Sequence, residues 1–363
     1  MAFSLAYCAD GHERLKRLHR LYENRDQNLV LAVMNVDDPA ARALSATLPS
    51  GYCEYPDPLE RAHFWDSMLQ RRSEIFDDSI PSAYLSEMDQ GLYGGLLGGK
   101  VLFLSNPQSG WVSSMVSPIL NDWSELDELD FSTDSEWFGR YVRQMQVFVE
   151  VAQGKFGVSH FICINGLNLV FELVGATETY RALIERPDGV RRALELAHRL
   201  NAAVQRTFFE YVPLLERGTC STMAQWLPGR VISESIDPFH MTSVSYFEEW
   251  GRQPLERLAD QFDGVAIHIH GNGRHLLPAA ATLKRLKAIM LGDDKGYPAA
   301  FEVLPTLRQQ AGDVPLIVSV PFAAFYAALR EHRLIGGVLY VVQSVPDPAT
   351  ANRCMEEVRV YDE

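Results

Sequence analysis

The hydrophobic residues in the second half of the chain follow two alternating patterns. Short and nearly unbroken apolar runs lie at 264–269, 287–291, 315–320 and 336–342. Between them, apolar residues recur at the three- and four-residue spacing of amphipathic helices. Unbroken runs of this length are typical of strands that are buried on both faces and joined by crossover helices. The pattern therefore predicts a parallel α/β sheet.

Helical spacing predicts five helices in this half of the chain, at 242–262, 276–286, 299–312, 321–332 and 348–360. Near the start of the first helix, Ser245 and Glu248 have the spacing of a capping box. Three apolar runs closer to the N-terminus are predicted as additional strands, at 28–34, 101–105 and 207–214.

The number of predicted strands decides the fold class. A count near eight over roughly 250 residues or more suits a (β/α)8 TIM barrel. An open doubly wound sheet is the alternative, but no Gly-x-Gly-x-x-Gly follows a strand, so no NAD or flavin is expected.

Residues 1–75 are richer in helix and are predicted as an N-terminal helical cap region that leads into the first strand. Because no linker rich in Gly, Ser or Pro divides the chain, 1–363 is predicted as a single domain.

Charge and cysteine content narrow the class of protein. The chain has 33 basic and 47 acidic residues and a formal net charge of -14, which argues against a nucleic-acid partner. No stretch approaches the roughly 20 apolar residues of a membrane span. Five scattered cysteines without a Cys-x-x-Cys pair favour reduced thiols. The sequence therefore predicts a cytoplasmic protein that has no membrane partner.

The strand predicted at 264–269 leads into a His-x-His pair. Residues two apart in a strand point to the same face, so His268 and His270 project together. A turn with Asn272 between two glycines follows them, and such a turn lets a ligand approach the backbone. The pair is predicted to be catalytic, as metal ligands or as acid/base and hydrogen-bonding groups.

Other polar residues stand where further predicted strands end. Asp293 follows the strand at 287–291, Gln343 ends the last strand, and Asp237 and His240 lie in the loop before the long helix. In a barrel these strand ends meet at one face, where active sites form. We therefore expect Asp237 to be catalytic. The expected substrate-binding residues are Asp77, His240, Asn272, Asp293 and Gln343.

The segment at 76–99 contains two neighbouring carboxylates, Asp77 and Asp78. Its simplest interpretation is an acidic surface loop that leads into a helix ending at glycines. The alternative places one of the two carboxylates over the barrel mouth, as a proton donor or a hydrogen-bonding group. In that interpretation Asp78 is a catalytic residue.

Metal binding is one hypothesis for His268 and His270. Zinc is held by three or four ligands from His, Cys and carboxylate side chains, and this strand end supplies two. The third would come from Asp293, Asp237 or the neighbourhood of Gln343. Zinc is therefore the candidate cofactor.

Four segments of the chain resemble the uroporphyrinogen decarboxylase superfamily, which includes that decarboxylase and the methyltransferases that act with corrinoid proteins. The segments lie in the family's order, at 77–99, 166–196, 235–272 and 336–358. The resemblance runs from about Asp77 to the C-terminus and implies the same barrel.

The departures from the family pattern favour its methyltransferase branch. The decarboxylase has an arginine-rich N-terminal segment and a Gly-His pair near the last strand. The stretch at 35–51 of this chain has a single arginine, Arg42, among acidic neighbours, and Gln343-Ser344 stands near the last strand. The methyltransferases hold zinc with His-x-Cys, followed by Gly-Asn or Gly-Asp, and with a cysteine at the end of the last strand. His268 matches the first ligand, His270 takes the place of the second, and the last falls at or beside Gln343. The resemblance thus implies a degenerate zinc site without sulfur ligands.

Three functions stay open from the sequence. The first is a methyltransferase-type activity on a small organic substrate, with a separate corrinoid protein as partner, because the chain carries no recognisable cobalamin-binding module. The second is cofactor-free decarboxylation of a carboxylated substrate, porphyrinogen-like or smaller. The third is a ligand-binding member of the fold that does not catalyse a reaction. Bound metal would separate the first from the second.

Overall fold

The structure is a computed structural model that describes residues 5–164 and 166–361. In chain order, the strands of this part are β1 (Val30–Val36), β2 (Gly51–Cys53), β3 (Ser82–Tyr84), β4 (Val101–Asn106), β5 (Trp111–Val116), β6 (Gly157–Ser159), β7 (Cys163–Ile164), β8 (Gly218–Ser221), β9 (Gln225–Pro228), β10 (Val231–Ser235), β11 (Gly264–Ile269), β12 (Leu286–Leu291), β13 (Leu316–Pro321) and β14 (Val338–Val345). Its α-helices are α1 (Gly11–Tyr22), α2 (Pro39–Ser45), α3 (Pro58–Gln70), α4 (Gln90–Leu96), α5 (Glu136–Ala152), α6 (Leu167–Val174), α7 (Ala176–Glu185), α8 (Pro187–Tyr211), α9 (Val244–Tyr246), α10 (Arg252–Ala259), α11 (Leu277–Ala280), α12 (Leu304–Ala311), α13 (Phe322–Arg330) and α14 (Pro348–Arg359).

The central sheet is parallel and runs in the order β1-β14-β13-β12-β11-β10-β7. From β10 onwards, successive strands are neighbours in the sheet and helices connect them, as the alternating pattern predicts. A parallel pair β3-β6, an antiparallel sheet β2-β4-β5 and the hairpin β8-β9 also occur in the described residues. The architecture is consistent with a barrel-like α/β fold. Its parallel ladder joins seven strands in the described part of the chain, where the sequence predicts about eight.

Both faces of the central sheet are buried, which explains the unbroken apolar runs. One face packs under the helices and contributes residues such as Val30, Ile267 and Val342 to the larger core cluster. The other face carries a second apolar cluster, which includes Ala266 and Leu339 and is covered in part by the hairpin β8-β9. Every second residue of a strand lies on the same face, because side chains alternate. On this second face, the residues that follow the apolar ones towards the carboxyl edge are polar. Those residues are Asn35, His268, His270 and Gln343.

Three predicted elements differ from the structure. Residues 207–211 form the last turn of α8 instead of a strand, because Phe208 and Val212, four residues apart, are both buried on one side as in a helix. The run at 101–105 is a strand, but it pairs antiparallel with its neighbours outside the central sheet. The helix predicted at 276–286 is limited to α11, and Arg285 has a φ of 58°, a left-handed conformation that a continuing helix excludes.

The long helix predicted at 242–262 is interrupted. It consists of α9, a π-helical segment at 247–251 and α10. The predicted capping box is absent, because Ser245 lies inside α9 and its hydroxyl pairs with that of Ser243 at 2.8 Å. Glu248 instead forms an ion pair with Arg252. None of the helices in the described residues combines the length and the apolar character that a membrane span requires.

Candidate functional site

Three segments at the carboxyl edge of the central sheet bring five ionisable side chains together. His268 and His270 come from the end of β11, Asp237 and His240 from the 3-10 turn after β10, and Asp294 from the loop after β12. Asp237 Oδ1 lies 2.7 Å from His268 Nε2, 3.5 Å from His240 Nδ1 and 3.9 Å from His270 Nε2. His270 Nδ1 lies 3.1 Å from Asp294 Oδ1. We refer to these five residues as the histidine cluster.

Strand register places Asp237 beside the histidines. β10 and β11 are parallel, and their register pairs Ser235 with His268. Two residues further on, the chain turns into the 3-10 segment, whose second residue is Pro238. This short turn carries the His240 ring back over Asp237, three residues away.

Gly273 makes room for the His240 ring. A Cβ atom at this position would lie 2.1 Å from His240 Cδ2 and 2.5 Å from its Cγ. Real Cβ atoms do not approach other heavy atoms so closely, and the buried imidazole has little space to withdraw. The glycine after Asn272, which the sequence presents as a turn signal, therefore has a packing role at the site.

Burial divides the cluster into an inner and an outer part. His268 and His240 are buried, whereas the side chains of His270 and Asp237 are 42% and 36% exposed. His270 and Asp237 are therefore the groups that an incoming molecule can reach. The outer side of His270 is fixed by Asp294, whose second carboxylate oxygen accepts a hydrogen bond from the Asn272 backbone at 3.4 Å.

The electrostatics of the cluster favour an ionised Asp237 next to a neutral His240. Burial raises the pKa of the Asp237 carboxyl, but the hydrogen bond with His268 and the nearby imidazoles lower it more, so the pKa lies below its usual value. Burial also lowers the pKa of His240 to about 4, against the attraction of Asp237. The site thus combines an ionised Asp237 carboxylate with the neutral imidazole of His240.

Asp237, His268 and His270 could hold a metal ion. Each offers one ligand atom, and the three atoms lie within 4.8 Å of one another. Two imidazoles and one carboxylate are a ligand set found in catalytic zinc sites, which keep a further position open. Ligand atoms about 2.0–2.2 Å from a tetrahedral zinc are roughly 3.3 Å apart, so the 2.7 Å contact between Asp237 and His268 would have to open slightly. The residues fit a metal with this small adjustment. A separate observation is that His268 Nδ1 is a buried nitrogen without a hydrogen-bond partner in the described residues.

A second polar group lies at the same edge of the sheet, between β1, β14 and β13. Arg72 donates to Asp77 Oδ2 at 3.0 Å and to Asn35 Oδ1 at 3.3 Å. Asn35 donates to Gln343 Oε1 at 3.2 Å, and Gln343 donates to Ser319 Oγ at 3.4 Å. The structure therefore separates the predicted residues Asp77 and Gln343 from the histidine cluster and joins them in this chain, which we call the Arg72 network.

Asp77 and Asp78 are buried along β1 and are not part of an exposed loop. Asp78 Oδ2 accepts from the backbone N–H of Ala32 at 2.9 Å, and Asp77 Oδ2 accepts from that of Met34 at 2.7 Å. Arg17 donates to Asp78 Oδ1 at 2.7 Å. These carboxylates satisfy strand N–H groups that otherwise lack a ladder partner. The proton-donor role of Asp78 stays a prediction.

The remaining predicted residues lie at the edge of the histidine cluster. Asp293 Oδ1 accepts from Arg274, in the turn after β11, at 2.8 Å and from the Ala300 backbone, in its own loop, at 2.7 Å. Its neighbour Asp294 is the residue that reaches His270. Sequence reasoning could find the Asp-Asp pair after β12, but the loop conformation decides which of the two faces the site.

Arg72 is the functional candidate that the sequence did not indicate. It follows the C-terminal end of α3 and therefore belongs to no strand end. Its position at the carboxyl edge results from how α3 packs against the sheet, which no local pattern encodes.

Comparison with known proteins supports the fold and does not supply a family. No family model and no curated protein matches the chain. Among solved structures, the fold is similar to that of a methyltransferase from Methanosarcina mazei, with a TM-score of 0.62 over 96% of this chain and 99% of that chain. The sequence identity is 12%, so the similarity concerns the arrangement of the backbone.

Proposed function

We propose that the protein is a (β/α)8 barrel enzyme of the uroporphyrinogen decarboxylase superfamily with a methyltransferase-type activity on a small organic substrate. The observation that carries the proposal is the convergence of Asp237, His268 and His270 within metal-ligand distance at the carboxyl edge of the sheet. The full-length similarity to a methyltransferase fold supports it. For the barrel, we infer that β3 and β6 complete the ring between β1 and β7. Asp78 N donates to Ala32 O at 3.0 Å at the first of these junctions.

In this proposal Asp237, His268 and His270 hold zinc. Zinc, when bound, would stabilise a substrate thiolate, which is the reactive nucleophile. The chain's own residues prepare the site. Asp294 binds His270 Nδ1 and leaves Nε2 directed towards Asp237, as carboxylates that orient ligating histidines do. The methyl group would be exchanged with a separate corrinoid protein that docks over the mouth.

A metal-free reaction is the second candidate, and one distance favours it. The 2.7 Å contact between Asp237 and His268 is that of a direct, charge-assisted hydrogen bond. Such a pair, next to the exposed His270, could transfer a proton during decarboxylation of a carboxylated substrate without any cofactor. A ligand-binding protein without turnover would retain the same pocket.

The first experiment measures zinc and iron in the purified protein and in a His268→Ala, His270→Ala double variant. The matched control is His275→Ala, because His275 lies on the same turn and its ring hydrogen-bonds, within the described residues, to the Thr242 carbonyl alone. We expect near-stoichiometric zinc in the wild type and the control, and none in the double variant. If the wild type stays metal-free after incubation with zinc, the metal-dependent reaction is excluded and the acid/base reaction becomes the leading candidate.

Activity separates methyl transfer from plain binding. Free methylcobalamin serves as the probe donor and small thiols as acceptors, and demethylation is followed by the cobalamin spectrum. We expect demethylation that requires zinc and disappears in Asp237→Asn, which removes the carboxylate charge from the site. Zinc binding without methyl transfer to any thiol would refute the proposed activity.

A further inference from the structure

A cavity of about 620 Å³ lies at the carboxyl ends of β1 and β14 and does not include the histidine cluster. Its volume is in the range of pockets that bind small organic ligands. Trp65, Met68 and Tyr84 form part of its apolar wall, and Arg72 and Asn35 contribute polar groups. Nothing in the proposed metal chemistry uses this cavity.

Arg72 makes two hydrogen bonds to side chains, and the other N–H groups of its guanidinium make none in the described residues. Two of its N–H groups bind Asp77 and Asn35, and a guanidinium has five in a fixed planar arrangement. Asp77 is itself fixed by the Met34 backbone and by Ser79. The Arg72 side chain is 28% exposed, so its remaining N–H groups can meet a ligand in a partly buried setting.

Tyr84 adds a second donor beside Arg72. Its hydroxyl makes no hydrogen bond in the described part of the chain, although the residue lines the cavity. Burial raises the pKa of the Tyr84 hydroxyl, and the charge of Arg72 acts in the opposite direction. Both side chains line the same cavity. The Tyr84 ring packs against Trp65 with the ring centroids 4.9 Å apart, so an aromatic surface lies next to the donors.

The other charges of the cavity limit how much negative charge it can accept. Four acidic residues also line it, Asp37, Asp38, Glu74 and Asp347, together with a second arginine, Arg71. Arg71 does not compensate them all, because its guanidinium is bound to both oxygens of Asp38. A ligand with several carboxylates would be repelled here, whereas a single carboxylate can reach Arg72.

We propose that this cavity binds a small organic acid with one carboxylate, which Arg72 and Tyr84 hold while its apolar part packs against Trp65. Arginine and carboxylate form a strong, directional pair of hydrogen bonds, and the aromatic wall provides the contact area. This inference goes beyond the proposed function, because the cavity does not include the candidate metal ligands. Binding itself requires neither metal nor turnover.

The test compares phenylacetate with phenylacetamide by isothermal titration calorimetry on the metal-free full-length protein. The two probes have the same shape and differ in charge. We expect phenylacetate to bind at least about tenfold more tightly, because the amide loses the charge-assisted hydrogen bonds. Arg72→Met should weaken phenylacetate binding about 10- to 100-fold, and Tyr84→Phe should weaken it about 5-fold.

Arg20→Met is the matched control, since this arginine pairs with Asp26 at the surface and does not line the cavity. It should change phenylacetate affinity less than about twofold. Equal binding of acid and amide, an unchanged affinity in both Arg72→Met and Tyr84→Phe, or no saturable binding of phenylacetate would overturn the inference.

The double variant of His268 and His270 separates this inference from the proposed function. We expect it to bind phenylacetate with the affinity of the wild type, because the cavity does not include either histidine. If the wild type binds phenylacetate but never zinc, the ligand class of the cavity stands and the metal-dependent activity fails. If it binds zinc but not phenylacetate, only the ligand class of the cavity fails.

Discussion

Replacing Asp78 by asparagine tests whether this buried carboxylate maintains the fold or transfers a proton. Asp78 is fully buried and faces donors on both sides. Arg17 Nε lies 2.7 Å from Oδ1, and the Ala32 N–H lies 2.9 Å from Oδ2. An asparagine side chain has one acceptor oxygen and one NH2 group. Whichever way the amide is turned, the NH2 group therefore faces a donor, and Arg17 loses the ion pair with Asp78.

The expected cost follows from these contacts. Breaking a buried ion pair by removing one partner costs about 3–5 kcal/mol, because the remaining charge stays buried and unpaired. The Arg17 side chain is 15% exposed, so water can solvate it only in part. Since a domain is stable by about 5–15 kcal/mol, Asp78→Asn should remove a large fraction of the free energy of unfolding.

Urea denaturation measures this loss as a lower midpoint at an unchanged slope. The matched control is Asp313→Asn, because Asp313 also pairs with an arginine, Arg25, but is 65% exposed. It should cost less than about 1 kcal/mol. If Asp78→Asn fails to fold, the Asp78→Asn, Arg17→Met double variant should recover stability by removing the buried charge that Asp78 balances. A stability within about 1 kcal/mol of the wild type would refute the reasoning, and a stable but inactive variant would support the proton-donor role.

Three further predictions follow from individual contacts. Burial raises the pKa of the Glu234 carboxyl well above its usual range, despite hydrogen bonds from Asn201 and Gln205. The folded state then keeps a proton that the unfolded state loses, so stability should fall with rising pH above the ordinary carboxyl pKa. The slope is up to about 1.4 kcal/mol per pH unit, and Glu234→Gln should remove it in denaturation at pH 6 and pH 8. Gly273→Ala should lower the free energy of unfolding by about 1–3 kcal/mol, because the new Cβ displaces the His240 ring. Its control is Gly139→Ala in α5, whose Cβ would meet nothing within 4 Å and which should not destabilise the protein. Excess zinc at 100 times the Kd should increase the free energy of unfolding of the wild type by about 2.7 kcal/mol, which is measured as a higher thermal midpoint. It should leave the midpoint of the His268→Ala, His270→Ala variant unchanged. An equal shift in both proteins would contradict the assigned ligands.

The fold was predictable where the signal is local. Strands β11 to β14 and the helices between them carry unbroken apolar runs and helical spacing, because each strand is buried on both faces. The prediction was wrong at 207–214, where a short apolar run fits a helix and a strand equally well. The run at 101–105 was correctly predicted as a strand, but its own residues do not indicate that it pairs antiparallel with β2 and β5.

The candidate site was predictable in its components and not in its assembly. The spacing of two alone places His268 and His270 on one face at a strand end, because side-chain alternation is a property of the strand itself. Asp237 was one of three candidates for a third ligand, and no local feature distinguished it. The register between β10 and β11, which pairs Ser235 with His268, brings Asp237 rather than Asp293 to the histidines.

The sequence by itself determined the alternating elements, the edge at which polar side chains gather and the His-x-His pair. The tertiary structure alone decided which separated residues meet there. It buried Asp78 against β1, directed Asp294 instead of Asp293 to His270, and placed Arg72, from the end of a helix, beside Tyr84 in a cavity. The physical reason is that periodicity is set by neighbours along the chain, whereas contacts between segments are set by register and packing across the whole fold.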